Sequence, residues 1–195
     1  MGWHIWSIYE VLTMNVSMII VDNFYNDPDA VRKFALSQEF GVRGNYPGVR
    51  TQPFLTPDVC TAIEHNMQFA GRATDWMESS GYTGCFQLAT AQDRTWIHSD
   101  HHNMWAGVCY LTPDAPHTGG TALYRHKATG QHNRVTTDHE GYDYTKWDLF
   151  DRVGNKYNRL IIYRGDLFHA SQDYFGDNPD NGRLFQTFFF NTERY

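Results

Sequence analysis

No apolar run in this sequence approaches the roughly eighteen residues that would cross a bilayer. No run of Lys or Arg is present either, and the formal net charge is −6. That balance argues against a nucleic-acid backbone as the main partner. Cysteine is scarce: Cys60, Cys85 and Cys109 are an odd set without metal-type spacing. They predict reduced thiols and a cytoplasmic location rather than a disulfide framework. Internal repeats and low-complexity tracts are missing, so one domain spanning 1–195 is expected. Residues 1–20 are mildly apolar but carry His4, Glu10 and Asn15 and no basic start, a poor match to a secretory signal. Patterned sequence begins at Ile19; Met14 and Met18 are therefore candidate starts, and residues 1–17 are assigned no function.

What the chain has in quantity is aromatic side chains, 16% of residues, and 16 glycines. Both suit a framework of short strands and tight turns. Ile19–Val21 reads as a strand. Asn26-Asp27-Pro28-Asp29 opens a helix running to Leu36, and Thr56-Pro57-Asp58 opens another running to about Ala70. From Gly84 the pattern changes to Cys85–Ala91, Thr95–His98, Met104–Leu111, Thr121–Arg125, Arg159–Tyr163, Leu167–Ala170 and Leu184–Asn191, with Gly, Pro, Asn and Asp in the breaks. Between Thr129 and Asn158 lies a polar insertion, with one helix expected near Tyr144–Val153. The fold class predicted is mainly β: a two-sheet jelly roll or barrel over 84–191, with the N-terminal helices packed outside.

Histidine is abundant, and six of the ten fall between His98 and His132. In His98-Ser99-Asp100, residues i and i+2 of an extended segment share a face, so one imidazole and one carboxylate can reach a common point. His169 follows 71 residues after His98 on a later strand. Together they match the two-histidine, one-carboxylate triad of non-haem iron sites, which leaves coordination positions open. Each part has a plainer reading. His98 and Asp100 can form a loop hydrogen bond, and His169 can be a satisfied core histidine. Arg183, 14 residues beyond His169 at the head of an apolar strand, can grip a carboxylate from the barrel mouth or pair with a rim acid.

In this order, His98, Asp100, His169 and Arg183 resemble the 2-oxoglutarate- and Fe(II)-dependent dioxygenase superfamily, in its prolyl-hydroxylase-like branch. Gly119-Gly120-Thr121-Ala122-Leu123 looks like the strand between the family's two ligand regions. Val108-Cys109-Tyr110-Leu111-Thr112 looks like the strand whose tyrosine supports the cosubstrate. The resemblance spans Cys85 to Asn191. It implies a double-stranded β-helix, iron on His98, Asp100 and His169, and the far carboxylate of 2-oxoglutarate on Arg183 with Tyr110. It also implies O₂-dependent hydroxylation of a C–H bond with release of succinate and CO₂, with ascorbate as an accessory reductant. Val21-Asp22-Asn23-Phe24 and Tyr46-Pro47-Gly48-Val49-Arg50 are similar to uncharacterised oxygenase-like proteins of phages and marine microbes.

Lesser expectations attach to the neighbours of these residues. His101 and His102 read as solvated loop or substrate contacts, Gln87 as facing the cosubstrate, Asn103 and Trp105 as lining the entrance, and Trp96 as core. Gln186 falls on the opposite strand face from Arg183 and is left out of the site. The insertion, with His132, Arg134, His139, Tyr142 and Tyr144, is expected to cover the metal and to favour a polar small molecule or peptide. The alternatives are a cupin-type metalloenzyme that does not use 2-oxoglutarate, a zinc hydrolase on the same triad, and a non-catalytic jelly-roll binding module.

Overall fold

The computed structural model describes residues 16–100, 102–133 and 140–193. Helix α1 (Pro28–Leu36) starts where its sequence says it should: the Asp27 side chain accepts from Ala30 N at 2.9 Å and Pro28 occupies the first turn. Helix α2 (Pro57–Asn66) is capped by Thr56 in the same manner, but it stops at Asn66. A separate 3₁₀ turn, Gln68–Ala70, follows, so the predicted end at Ala70 is corrected.

Among the described residues there are ten strands: β1 (Met18–Val21), β2 (Val49–Pro53), β3 (Arg72–Asp75), β4 (Cys85–Ala89), β5 (Trp105–Tyr110), β6 (Thr121–His126), β7 (Trp147–Val153), β8 (Leu160–Arg164), β9 (His169–Ser171) and β10 (Arg183–Glu193). A large antiparallel sheet runs β1-β8-β5-β10-β4-β2, with β3 pairing the far end of β10, and a small one runs β7-β6-β9. This is the two-sheet, mainly β architecture expected, with helices on one outer face.

Period-two alternation assigns the faces of the large sheet. Leu184, Phe188 and Phe190 of β10, Cys109 of β5 and Leu160 and Ile162 of β8 turn outward. They pack with Ala35, Ile63 and Met67 from the helix region. Ala106, Val108, Tyr110, Ile161, Tyr163 and Phe185 turn inward and form the inter-sheet core. Behind the small sheet, Ile97, Tyr124, Trp147 and Phe168 make a third cluster.

Two predicted elements differ. Tyr144–Val153 is not a helix: a 3₁₀ turn, Tyr144–Lys146, capped by Asp143, gives way to strand β7. Leu149 and Phe150 are both exposed there, so no helical face is buried, and pairing with β6 decides the conformation. Thr95–His98 is likewise not a regular strand; only His98 bridges to β9. Strands β2 and β3 were not predicted. No described helix is long and apolar enough to cross a membrane, and Cys60, Cys85 and Cys109 are all free thiols.

Candidate metal and cosubstrate site

The bridge between His98 and His169 sets the first two groups. His98 N donates to His169 O at 3.0 Å and His169 N donates to His98 O at 2.8 Å, which leaves the imidazole centroids 4.4 Å apart. Asp100 is fixed from another strand end, with its N–H on Gly165 O at 2.7 Å. A Cβ on Gly165 would come within 2.5 Å of Asn103 O and 3.3 Å of Asp100 Cβ. The close passage of the two segments therefore needs glycine at this position. One ligand atom from each of His98, Asp100 and His169 lies within 4.8 Å of the others.

The imidazoles are presented in one orientation. His169 Nδ1 donates to Leu167 O at 2.8 Å and His98 Nδ1 donates to Trp96 O at 3.0 Å, so both Nε2 lone pairs are left for a metal. Burial, aided by the neighbouring His98 and opposed by Asp100, lowers the His169 pKa to about 4. The ring is therefore neutral at pH 7, the form that ligates. Tyr163, buried against the His169 ring at 4.7 Å, walls that side.

The cluster opens on a cavity of about 740 Å³, within the usual size range of small-molecule sites. Tyr163, Ser171, Tyr174 and Phe185 line it on the side toward Arg183. Arg183 is fully buried, not at the mouth as predicted. Its Nε donates to Gly119 O at 2.9 Å and one Nη to Gly120 O at 3.2 Å, while Nη1 has no partner among the described residues. The guanidinium rests 4.3 Å from the Phe185 ring and 5.6 Å from the Tyr174 ring. Gly119-Gly120 thus acts through its two carbonyls, which orient the arginine. Tyr110 is also fully buried, 5.3 Å from the guanidinium, with its hydroxyl 2.8 Å from Thr121 Oγ1. Burial raises its pKa, against the pull of Arg183, and keeps it a neutral donor.

Among the lesser candidates, Gln87, His102, Asn103 and Tyr142 line the cavity. Trp96 does too, stacked 5.5 Å from both His98 and Tyr142, so it is wall rather than core. Trp105 is the reverse case. It is buried on the helix side, with Nε1 donating to Thr192, and is absent from the entrance. Gln186 lies outside the site, donating to Phe54 O and Gly84 O. His132 packs on Phe150 at 4.4 Å and Tyr144 on Tyr124 at 5.9 Å; neither lines the cavity. His101, Arg134 and His139 lie outside the described residues.

One group was missed as a site residue. Arg50 of β2, only 6% exposed, lines the same cavity and places its guanidinium 3.8 Å from the Tyr46 ring and 5.2 Å from the Tyr82 ring. The only signal in the sequence was an arginine beside Tyr-Pro-Gly. Its place becomes visible through the cross-strand row Arg50–Gln87–Phe185–Tyr110, set by the pairings of β2, β4, β10 and β5.

Among solved structures, the fold is similar to HygX from Streptomyces hygroscopicus, solved with nickel, 2-oxoglutarate and hygromycin B bound. That match has 9% identity and a TM-score of 0.57 over 90% of this chain and 83% of that one. SnoK, a non-heme alpha ketoglutarate dependent carbocyclase from nogalamycin biosynthesis, gives 10% and 0.57 over 89% and 79%. AviO1 from Streptomyces viridochromogenes Tue57 gives 15% and 0.50 over 89% of each chain. These likenesses establish the double-stranded β-helix. No curated protein matches in sequence. A family model does match, over residues 6–146 and 131–190, and the chain belongs to that family, DUF6445, a family of unknown function.

Proposed function

We propose that this chain is a non-haem Fe(II)- and 2-oxoglutarate-dependent dioxygenase of the prolyl-hydroxylase-like kind. The observation that carries the reading is a His–Asp–His cluster on the wall of a cavity, with a buried guanidinium carrying one unpartnered nitrogen packed behind the cavity-lining rings of Phe185 and Tyr174. A buried donor without an acceptor is costly, and a ligand carboxylate is the group that satisfies it. The donor set also fits the metal: two imidazoles and one carboxylate on one face suit iron(II) with open positions. HygX, solved with nickel and 2-oxoglutarate, and SnoK, described as alpha ketoglutarate dependent, share the fold and lend the reading support.

His98, Asp100 and His169 would hold iron, and Arg183 with Tyr110 would hold the far carboxylate of 2-oxoglutarate. Together the two cofactors supply O₂-driven oxidation of a substrate C–H bond, with release of succinate and CO₂. The chain's own share is positional. Leu167 O and Trp96 O fix the imidazole orientations, Gly119 O and Gly120 O aim the guanidinium, and Tyr163, Tyr174 and Phe185 keep water from the cosubstrate end.

The test is anaerobic titration of the Fe(II)-loaded chain with 2-oxoglutarate, followed by the visible charge-transfer absorption of the chelate. The band is expected in the wild type and absent in Asp100→Ala and His169→Ala. A metal-loaded chain that binds no 2-oxoglutarate would overturn the proposal, leaving a cupin-type metalloenzyme, a zinc hydrolase or a binding module. Succinate release under O₂ then measures uncoupled turnover.

A further inference from the structure

The cavity wall itself carries a buried cation, Arg50, distinct from Arg183, which packs behind the Phe185 and Tyr174 rings. Arg50 is anchored by its Nε, which donates to Gln87 Oε1 at 2.7 Å; Gln87 in turn donates to Pro47 O at 2.6 Å. The relay ends on backbone, so the direction of the guanidinium is fixed by the β2–β4 register. Tyr46, Tyr82 and Phe189 enclose it at 3.8, 5.2 and 5.9 Å. No carboxylate among the described residues forms an ion pair with it, and neither Nη has a hydrogen-bond partner there. Beside it, the Tyr46 hydroxyl is buried with no hydrogen-bond partner among the described residues. Arg50 and Phe185, the residue that Arg183 packs on, are paired through β4 and so lie two strands, roughly 10 Å, apart. That span leaves room for two ligands side by side.

We infer that Arg50, with the Tyr46 hydroxyl, binds a carboxylate carried by the substrate, in an aromatic slot of the cavity two strands from Phe185, the residue that Arg183 packs behind. This rests on the reading of Arg183 as the cosubstrate clamp, which leaves the cavity-lining Arg50 for the substrate. With Nε taken by Gln87, the two Nη groups form a planar fork that matches the two oxygens of a carboxylate. Cation–aromatic contacts partly offset the cost of burying the guanidinium, but they supply no hydrogen-bond acceptor. Burial pulls the Arg50 pKa down from its ordinary value, while Tyr46, Tyr82, Cys85 and Asp100 act in the opposite sense; it remains a cation at pH 7.

The experiment uses the full chain loaded with Zn(II) and saturating 2-oxoglutarate, titrated calorimetrically with benzoate, benzamide and phenyl phosphate. Benzoate is expected to bind one per chain, at least tenfold tighter than benzamide and tighter than phenyl phosphate. Arg50→Met should reduce benzoate to the benzamide level and Tyr46→Phe should weaken it several-fold, with 2-oxoglutarate affinity within twofold of wild type in both. Arg50→Lys, which keeps the charge and loses the fork, should fall between and serves if Arg50→Met does not fold. Equal affinity for benzoate and benzamide, or an Arg50→Met chain that binds benzoate normally, overturns the inference. So does displacement of benzoate by 2-oxoglutarate, and a tighter phenyl phosphate removes the carboxylate assignment. The parent reading fails by a different signal, the absence of 2-oxoglutarate binding in the same samples before any benzoate is added.

Discussion

Replacing Arg183 by Met separates the clamp from the scaffold. The substitution keeps a long apolar stem and removes every donor. A charge-assisted hydrogen bond to a ligand carboxylate contributes about 1.5–3 kcal/mol. At about 1.4 kcal/mol per decade, loss of the Nη1 bond alone should raise the Kd for 2-oxoglutarate roughly 10- to 150-fold. The same change removes one of two donors from each of Gly119 O and Gly120 O, which keep Asn155 Nδ2 and Gln172 N. Because both carbonyls stay satisfied, each lost bond costs about 0.5–1.5 kcal/mol, and a chain of this size loses roughly 2–4 °C per kcal/mol. A Tm lowered by several degrees is therefore expected along with weak cosubstrate binding. Gln186→Leu supplies the control. It lies on the same strand but on the other face, and its loss leaves Phe54 O without a donor and the Tyr25 hydroxyl without its acceptor, while Gly84 O keeps Phe54 N. It should cost comparable stability while leaving 2-oxoglutarate affinity within twofold of wild type. Both variants are measured by calorimetric titration of the Zn(II)-loaded chain, well below their melting points. An Arg183→Met chain that binds 2-oxoglutarate like the wild type would refute the clamp, whatever its Tm.

Three further outcomes follow from other parts of the structure. Gly165→Ala sets a methyl 2.5 Å from Asn103 O and beside Asp100 Cβ; it should weaken metal binding about 10- to 100-fold, and unchanged affinity by metal titration would contradict the close approach. Asp22 is held well below the usual carboxylate range by hydrogen bonds from Arg159 and Lys156. Its folded pKa lies below the unfolded value of about 3.9, so its contribution is complete above that pH and fades as pH falls through the folded value. Being partly exposed, the pair contributes on the order of 0.5–1 kcal/mol. Asp22→Asn should thus lower the urea midpoint at pH 7 and lose most of that difference near pH 2; a difference independent of pH would rule out the pairing. Finally, burial pushes the Cys60 thiol up to about 11 and raises Cys85 and Cys109 as well. The native chain should resist alkylation at pH 8 and take up three labels in denaturant; rapid labelling before unfolding would contradict the burial.

The sequence determined what depends on local order. Asp27-Pro28 and Thr56-Pro57 start helices because caps act within one turn. His98 and Asp100 could be paired on paper because i and i+2 share a face, and His169 joined them as a histidine near the end of the later predicted strand Leu167–Ala170. Gln186 was rightly separated from Arg183 because strand alternation has a period of two. Sequence order did not reveal pairing. The stretch Tyr144–Val153 was expected to be a helix, and pairing with β6 makes most of it a strand. Trp96 and Trp105 exchanged their expected places because burial depends on which sheet face a segment meets. Arg183 turned from a rim residue into a buried one because the Gly119 and Gly120 carbonyls reach it from a strand pair more than sixty residues away. Arg50 stayed hidden for the same reason: only the register that sets β2 beside β4 brings its guanidinium onto Gln87 and into the cavity.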